Sequence, residues 1–454
     1  MNINFKQFLL LVGDTLGLYL ALFLSLAIRF QKDPRPELWD KHWPTFTLIF
    51  FLWLAIFYIS GLYDLRKAKN NLLFFGSFLS STALNLFFSV GFFYILNIQQ
   101  LRPKTILLLF TGIYFIIFSL WRLLAHFLLG TTTFRSRLIF LGISPESQEL
   151  IRTFQRNTQL GYETIAILNS EQDKLEIQGQ IDILNSTDNL LEYLKNKKID
   201  TIILVSNQLK EKNGKLLYDA ILSRINVYSL DTFYENITHR VPFSVLSQNW
   251  FLENLKNPEK FAFENIKRWV DLLLAILMLV PFCIFFVPIA VMIKLTDKGN
   301  IFYRQTRIGQ DGQIFFIYKF RTMVANAEQN GPQFTSPNDK RVTKFGKFLR
   351  VSRLDELPQA INILKNEMSF IGPRPERPEF VSELQKIMPY YNARHLIKPG
   401  LTGWAQANYQ YTDSLEGNLI KLQYDLFYIK NRSLLLDSLI ILKTFNAIIK
   451  RTGR

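Results

Sequence analysis

Four apolar runs open the chain: Phe8–Ile28, Phe46–Leu62, Leu72–Ile98 and Thr105–Leu129. Each is near the roughly 20 residues that a helix needs to cross the hydrocarbon core of a bilayer, so residues 1–133 are expected to form a four-helix transmembrane bundle. A cleaved signal peptide is the competing account of the first run. Its apolar core should be only about 7 to 15 residues, with small residues at a cleavage site. Here Arg29-Phe30-Gln31-Lys32 follows instead. Loop charge does not orient the spans, because Arg66, Lys67 and Lys69 load one short loop while Arg29, Lys32, Arg35 and Lys41 load the opposite one. An even number of spans places both ends on one side, taken as the cytoplasm.

Beyond Arg135 the period changes. Leu138-Ile139-Phe140-Leu141-Gly142 reads as a buried strand, Glu146–Gln155 as a helix, Leu190–Lys198 as an amphipathic helix and Ile199–Val205 as a second strand. Alternating strands and helices predict a parallel, Rossmann-like α/β domain over 134–245. A dinucleotide site at its first turn requires Gly-x-Gly-x-x-Gly, whereas the turn reads Gly142-Ile143-Ser144-Pro145-Glu146-Ser147. The domain is therefore read as a degenerate scaffold rather than a cofactor site. Tyr193 and Lys197 match the Tyr-x-x-x-Lys of short-chain dehydrogenases, but in a Lys-rich helix the match is read as an exposed coincidence.

A fifth apolar segment, Trp269–Ile293, differs from the others by carrying Pro281 and Pro288. Each proline removes a helix hydrogen bond and bends the axis. Lys267-Arg268 before it and Lys294 after it put positive charge at both ends, which predicts a re-entrant membrane hairpin over 269–293. A fifth spanning helix with tolerated prolines is the alternative. It would carry the rest of the chain to the far side of the membrane.

With 454 residues, 49% of them hydrophobic, the chain exceeds one core and predicts a multidomain membrane protein. A formal net charge of +16 favours anionic partners: lipid head groups, pyrophosphates or nucleic acid. The single cysteine, Cys283, and four scattered histidines offer no disulfide and no zinc-ligand spacing, so any metal should be hard and oxygen-bound, such as Mg²⁺.

After the hairpin come Gln305-Thr306-Arg307-Ile308-Gly309, Tyr318-Lys319-Phe320-Arg321-Thr322, Arg350-Val351-Ser352-Arg353-Leu354-Asp355-Glu356-Leu357-Pro358, Gly372-Pro373-Arg374-Pro375 and Lys398-Pro399-Gly400. Most pair a cation with a rigid Gly or Pro turn, as a pyrophosphate cradle would. Asp355 and Glu356 precede an apolar run, Leu357–Leu364, with Pro358 suited to a first turn, so they should sit at a helix N-terminus. That is where a carboxylate merely caps, and also where phosphate is attracted. The basic company of Arg350, Arg353 and Arg374 favours the second use: an ionised Asp355 can attack phosphorus and form an acyl phosphate. Glu356 would hold Mg²⁺ against the pyrophosphate or assist the acceptor.

At these motifs the sequence resembles the bacterial sugar transferase family, the large monotopic phosphoglycosyl transferases that initiate exopolysaccharide, capsule or O-antigen synthesis. The order of parts also agrees: four membrane helices, a degenerate nucleotide fold, Arg240-Val241-Pro242 with Trp250-Phe251-Leu252 in a linker over 246–266, Lys267-Arg268-x-x-Asp271, and an α/β monotopic catalytic domain over 267–454. The resemblance implies a ping-pong transfer of hexose-1-phosphate from a UDP-sugar to undecaprenyl phosphate with release of UMP. Asp355 is then the nucleophile, Glu356 its Mg²⁺-linked partner, and Arg350 and Arg374 the phosphate-binding arginines. Lys319, Arg321 and Asp425, the last within Tyr424-Asp425-Leu426-Phe427-Tyr428, also fall in family motifs. The family's hairpin often breaks at Ser-Pro, whereas Val280-Pro281 stands here. The expected setting is a bacterial inner membrane with the catalytic domain in the cytoplasm. Membrane lipids and a homodimer are the expected further partners, and nucleic acid is not. The C-terminal run Leu434–Lys450 reads either as an interfacial helix or as a core helix.

Two other classes remain open on the residues alone. A membrane-anchored nucleotide-sugar dehydratase requires the intact glycine fingerprint that Gly142 lacks. A non-catalytic scaffold of polysaccharide assembly would use the basic module only to grip lipid.

Overall fold

The computed structural model describes residues 3–30, 36–65, 72–95, 103–130, 135–168, 181–186, 189–255, 261–297, 299–324, 327, 339–409 and 414–449. They form two compact units, Met1–Phe233 and Tyr234–Arg454.

The first unit opens with four long apolar helices, α1 (Ile3–Phe30), α2 (Pro36–Ile59), α3 (Leu72–Ile95) and α4 (Pro103–Gly130), each long and apolar enough to cross a membrane. Their shared core is aromatic: Phe46, Trp53, Phe57, Phe78, Phe110 and Phe118 are almost wholly buried against one another. An ion pair crosses this core, Asp14 of α1 with Arg122 of α4 at 2.6 Å, and Arg122 also donates to the Leu62 carbonyl. Burying two charges is costly unless they are paired and hydrogen-bonded, so this bridge fixes α1 against α4. The loop charges Lys32, Arg35, Arg66, Lys67 and Lys69 lie outside the described residues.

The α/β part of this unit runs β1 (Ser136–Leu141), α5 (Pro145–Arg156), β2 (Tyr162–Leu168), β3 (Asp182–Leu184), α6 (Leu190–Asn196), β4 (Thr201–Leu204), α7 (Asn207–Lys212), α8 (Gly214–Leu222), β5 (Asn226–Ser229) and α9 (Leu230–Thr238), with the unit boundary inside α9. All strands pair in parallel, as the sequence implied, and their order is the doubly wound β3-β2-β1-β4-β5. The turn after β1 is closed by its own side chains: Ser144 and Ser147 form a capping box at the start of α5. Gly142 lies at φ 102°, and a Cβ there would meet Leu209 at 2.7 Å. The surviving glycine thus serves helix-to-sheet contact. Tyr193 and Lys197 both bind Asp182, on the edge strand β3.

The second unit comprises α10 (Gln248–Asn254), α11 (Phe261–Asp297), β6 (Phe302–Ile308), β7 (Ile314–Phe320), α12 (Lys344–Ser352), a 3₁₀ helix at Leu354–Gln359, α13 (Ala360–Leu364), β8 (Ser369–Ile371), α14 (Pro378–Ile387), β9 (Gly400–Thr402), α15 (Trp404–Asn408), α16 (Leu415–Asn431) and α17 (Leu434–Ile449). Within residues 246–266, read from sequence as a linker, Trp250 is buried in a core, whereas Leu252 and Ile266 are exposed. Trp250 packs with Val241, Val381, Leu422 and Leu426, because so large an apolar surface is more stable out of water. On α17, Ile440 is buried against Trp404 and Tyr428, which favours the core-helix reading, while Leu435 stays 83% exposed.

The helix α11 runs continuously through Pro281 and Pro288, since a proline bends a helix without necessarily ending it. One flank follows the catalytic unit along most of its length: Ala275 joins Phe315 and Ile317, then Phe282, Phe286, Ile289 and Ile293 pack with Phe320, Leu349 and Leu357. The opposite flank exposes Leu273, Ile276, Leu277, Val280, Ile284, Val287 and Val291. Leaving that many large apolar side chains half-hydrated costs on the order of 10 kcal/mol, which contact with lipid removes.

Candidate active site

The hairpin β6–β7 is the base of the site. Its register pairs Phe302 with Phe320 and Ile308 with Ile314. A two-stranded ribbon leaves one edge of β7 unpaired, and the buried Asn362 of α13 supplies the missing partners. Its Oδ1 accepts from Tyr318 N at 3.1 Å and its Nδ2 donates to the Phe316 carbonyl at 2.7 Å. This clasp sets Lys319, the next residue of β7, beside the 3₁₀ helix that carries Asp355 and Glu356.

From the other side, α12 is drawn in by Gly346, where a Cβ would lie 2.0 Å from the Thr322 carbonyl oxygen. The close approach lets Arg350 Nε donate to Thr322 Oγ1 at 2.8 Å. Arg353 then turns the chain in the left-handed region at φ 58°. Asp355 and Glu356 follow in the first turn, so the expected helix start is present but is 3₁₀ before it becomes α13.

Adjacent in sequence, the two carboxylates have opposite surroundings. Glu356 Oε1 accepts from Lys319 Nζ at 2.9 Å and from Arg374 Nη2 at 3.3 Å, and Arg353 Nη1 stands 3.7 Å from Oε2. Burial alone would raise its pKa, but Lys319, Arg374 and Arg353 overcome burial and hold it well below the usual carboxylate range. The Asp355 carboxylate, only 7% exposed, receives no hydrogen bond among the described residues and caps no helix. Burial, then the charge of Glu356, push its pKa up against the pull of Lys319, Arg350 and Arg353. Lys319 is pulled below the ordinary lysine value by burial and Arg374, although Glu356 and Asp355 favour its charged form. Two carboxylates thus face four cations, Lys319, Arg350, Arg353 and Arg374, and the excess positive charge suits an incoming pyrophosphate.

Of the residues singled out in the sequence, Asp355, Glu356, Lys319, Arg350 and Arg374 converge. Arg321, at the end of β7, is held by its backbone N–H on the Ile301 carbonyl. Asp425 stands one layer back: its Oδ2 lies 2.9 Å from Arg394, which also donates to the Arg374 carbonyl at 3.0 Å. Burial pushes the Asp425 carboxyl up to about 6 despite that arginine. Sequence reading missed Arg394, which no glycine or proline flags, and the buttress of Arg307 on the Pro375 carbonyl at 2.9 Å. Several glycines of the motifs serve backbone contact: a Cβ on Gly400 would lie 2.0 Å from Gly372 N, and one on Gly403 2.2 Å from Gly372 O.

Both Glu356 oxygens face cations, and the described residues contain no group of three His, Cys, Asp or Glu side chains that could hold a metal ion.

Fold and site together define a multidomain membrane protein: a helical apolar N-terminal region, a parallel α/β domain, and a second unit in which an acidic pair sits among arginines and a lysine beside a long apolar helix. The bacterial sugar transferase family model matches residues 262–451, and a CoA-binding domain model matches 58–213. Over 239 residues the chain is 41% identical to the UDP-N-acetylgalactosamine-undecaprenyl-phosphate N-acetylgalactosaminephosphotransferase of Aeromonas hydrophila, covering 53% of this chain and 56% of that one. Over 322 residues it is 31% identical to the UDP-glucose:undecaprenyl-phosphate glucose-1-phosphate transferase of Xanthomonas campestris pv. campestris, covering 68% and 65%. Over 202 residues it is 35% identical to the exopolysaccharide production protein ExoY of Sinorhizobium fredii, covering 41% of this chain and 87% of the relative. The chain therefore spans less than two thirds of the length of the first two relatives and most of the third. It belongs to the bacterial sugar transferase family.

Proposed function

We propose that the protein transfers a hexose-1-phosphate from a UDP-sugar to undecaprenyl phosphate in two displacements at Asp355, initiating polysaccharide synthesis. In the first, an Asp355 carboxylate oxygen attacks the sugar-bearing phosphorus, the bond to the bridging oxygen breaks, and UMP leaves with that electron pair. In the second, an oxygen of the lipid phosphate attacks the same phosphorus, the acyl-phosphate bond breaks, and the Asp355 carboxylate returns. The observation that carries this reading is the contrast within the pair: Glu356 is engaged by cations, while the Asp355 carboxylate receives no hydrogen bond among the described residues. Lys319, Arg353 and Arg374, anchored by Glu356, and Arg350, anchored by Thr322, stabilise charge on the transferring phosphoryl group. Mg²⁺ belongs in this proposal with the pyrophosphate oxygens of the nucleotide, which are hard anionic ligands, rather than on Glu356.

The membrane arrangement supports the acceptor. Both halves of α11 pack on the catalytic unit, so we read α11 as re-entrant, with α1–α4 as a spanning bundle and the catalytic unit in the cytoplasm of the inner membrane, where nucleotide sugars are made. UMP release from a panel of UDP-glucose, UDP-galactose and UDP-N-acetylgalactosamine tests the reaction, with intact-mass analysis of the trapped protein. A hexose-phosphate adduct on wild type, absent from Asp355→Asn along with UMP release, is the expected result. An adduct that persists in Asp355→Asn overturns the assignment.

A further inference from the structure

Away from Asp355, a small solvent-connected pocket lies beside the first turns of α11, lined by Lys267, Arg268, Asp271, Ser369, Lys398 and Arg432 among others. None of the residues placed around Asp355 lines it. Two of its charges are internally satisfied. Lys267 Nζ lies 2.7 Å from Asp437 Oδ2, and Asp271 Oδ1 accepts from Phe370 N at 2.9 Å. Arg432 faces Glu264 at 3.3 Å, yet its Nε is buried with no hydrogen-bond partner among the described residues. The other two cations meet only neutral acceptors. Arg268 donates to the Ile363 and Leu364 carbonyls at 2.7 and 3.1 Å, and Lys398 to Asn366 Oδ1 at 2.6 Å. Neither has a carboxylate within ion-pair distance among the described residues. Burial, then the neighbouring charges of Arg268 and Lys267, pull the Lys398 ammonium below its ordinary pKa, while Asp271 and Glu264 act the other way.

The depth of this pocket is set by α11. Glu264, Lys267, Arg268 and Asp271 share the flank that faces it, while Ile266, Trp269 and Leu273 on the opposite flank are 47%, 74% and 58% exposed. A tryptophan at the start of a lipid-facing helix belongs at head-group level, where lipid phosphates lie. From this juxtaposition we infer that the pocket is an anion site for a phosphate group, filled by the head group of an anionic phospholipid, with Arg268, Lys398 and Arg432 Nε as its donors. Bound lipid would seat α11 at a fixed depth. The inference does not depend on Asp355 as nucleophile, because its readout is lipid binding.

The test uses the full chain in detergent, titrated with phosphatidylglycerol or phosphatidylcholine and read by native mass spectrometry, with inorganic phosphate as competitor. Wild type should prefer phosphatidylglycerol. Lys398→Gln should weaken that lipid about fivefold, the effect of one cation near an anionic head group. Lys398→Arg should keep it, as should Asp355→Asn. If millimolar inorganic phosphate displaces the lipid from wild type, free phosphate shares the same donors; if it does not, the site is the lipid's own. Phosphatidylglycerol binding to Lys398→Gln and Lys398→Glu as tightly as to wild type, with both variants melting normally, overturns the inference.

Discussion

Replacing Glu356 by glutamine separates two roles that the sequence could not distinguish, metal ligand and anchor for cations. As an anchor, Glu356 compensates Lys319, Arg353 and Arg374 at 2.9, 3.7 and 3.3 Å. The arginine pairs add little, since Arg353 and Arg374 are 38% and 35% exposed and water screens them. The Lys319 pair dominates, with side chains 19% and 9% exposed. Removing one partner of a buried pair costs about 3 kcal/mol or more. Lys319 can escape by losing its proton, which caps the penalty at about 5 kcal/mol near neutral pH, at 1.36 kcal/mol for each unit below the ordinary lysine pKa. For a unit of this size each kcal/mol moves the melting temperature by roughly 2–4 °C, so Glu356→Gln should melt roughly 6–20 °C lower. UMP release should fall at every Mg²⁺ concentration, because the cations are no longer aimed. The assay is a thermal melt of the purified chain together with a Mg²⁺ titration of UMP release. A variant that melts like wild type and regains its rate at high Mg²⁺ would refute the anchor role and restore the metal-ligand one.

Three further outcomes follow from the same geometry. The acid limb of kcat/KM for UMP release should lie above the ordinary carboxylate value of about 4, because protonation of Asp355 as pH falls through its raised pKa removes the nucleophile; a limb at or below that value contradicts the burial argument. Glu356→Gln should lower this limb, since the charge of Glu356 is the second cause of the rise. Asp425→Asn leaves Arg394 buried without its carboxylate, costs about 3–5 kcal/mol in a melt, and raises the donor KM through the Arg374 carbonyl that Arg394 holds; an unchanged KM in folded protein removes Asp425 from the site's support. Gly400→Ala forces a Cβ to within 2.0 Å of the Gly372 backbone and should cost about 3 kcal/mol or more, read by chemical denaturation; a neutral substitution would mean that the β8–β9 contact is looser than described.

The long apolar helices were legible because length and composition alone determine them, and most observed ends lie within about a turn of the apolar runs, although α2 begins at Pro36 and α11 at Phe261, two turns or more before theirs. In the α/β domain, β1 and β4 stood out as continuous Ile, Leu and Phe runs, the mark of strands covered on both faces. The edge strands β3 and β5 did not, since Asp182-Ile183-Leu184 and Asn226–Ser229 are short and partly exposed. The acidic pair was legible from its helix-start position, but its asymmetry was not. It depends on Lys319 arriving from β7 and Arg374 from the loop after β8, pairings that no local spacing encodes. The same limit hid Arg394, whose importance rests on contacts with residues distant in sequence.

The apolar helix α11 also positions the acidic pair. Leu357, the residue after Glu356, is buried against Ile289 and Ile293 of α11 together with Phe320 and Leu349. Phe320 follows Lys319, and Leu349 precedes Arg350, so three groups of the site are each one residue from a side chain packed on α11. Close-packed interiors transmit displacement, so a shift of α11 relative to the catalytic unit would move Lys319, Arg350 and Glu356 together. In the proposed reaction a lipid phosphate approaches at head-group depth, and Asp355 has to wait at that depth. Building the floor of the site from the flank of α11 would meet this requirement directly: with the exposed apolar flank in the bilayer, the packed flank would hand that level to Asp355.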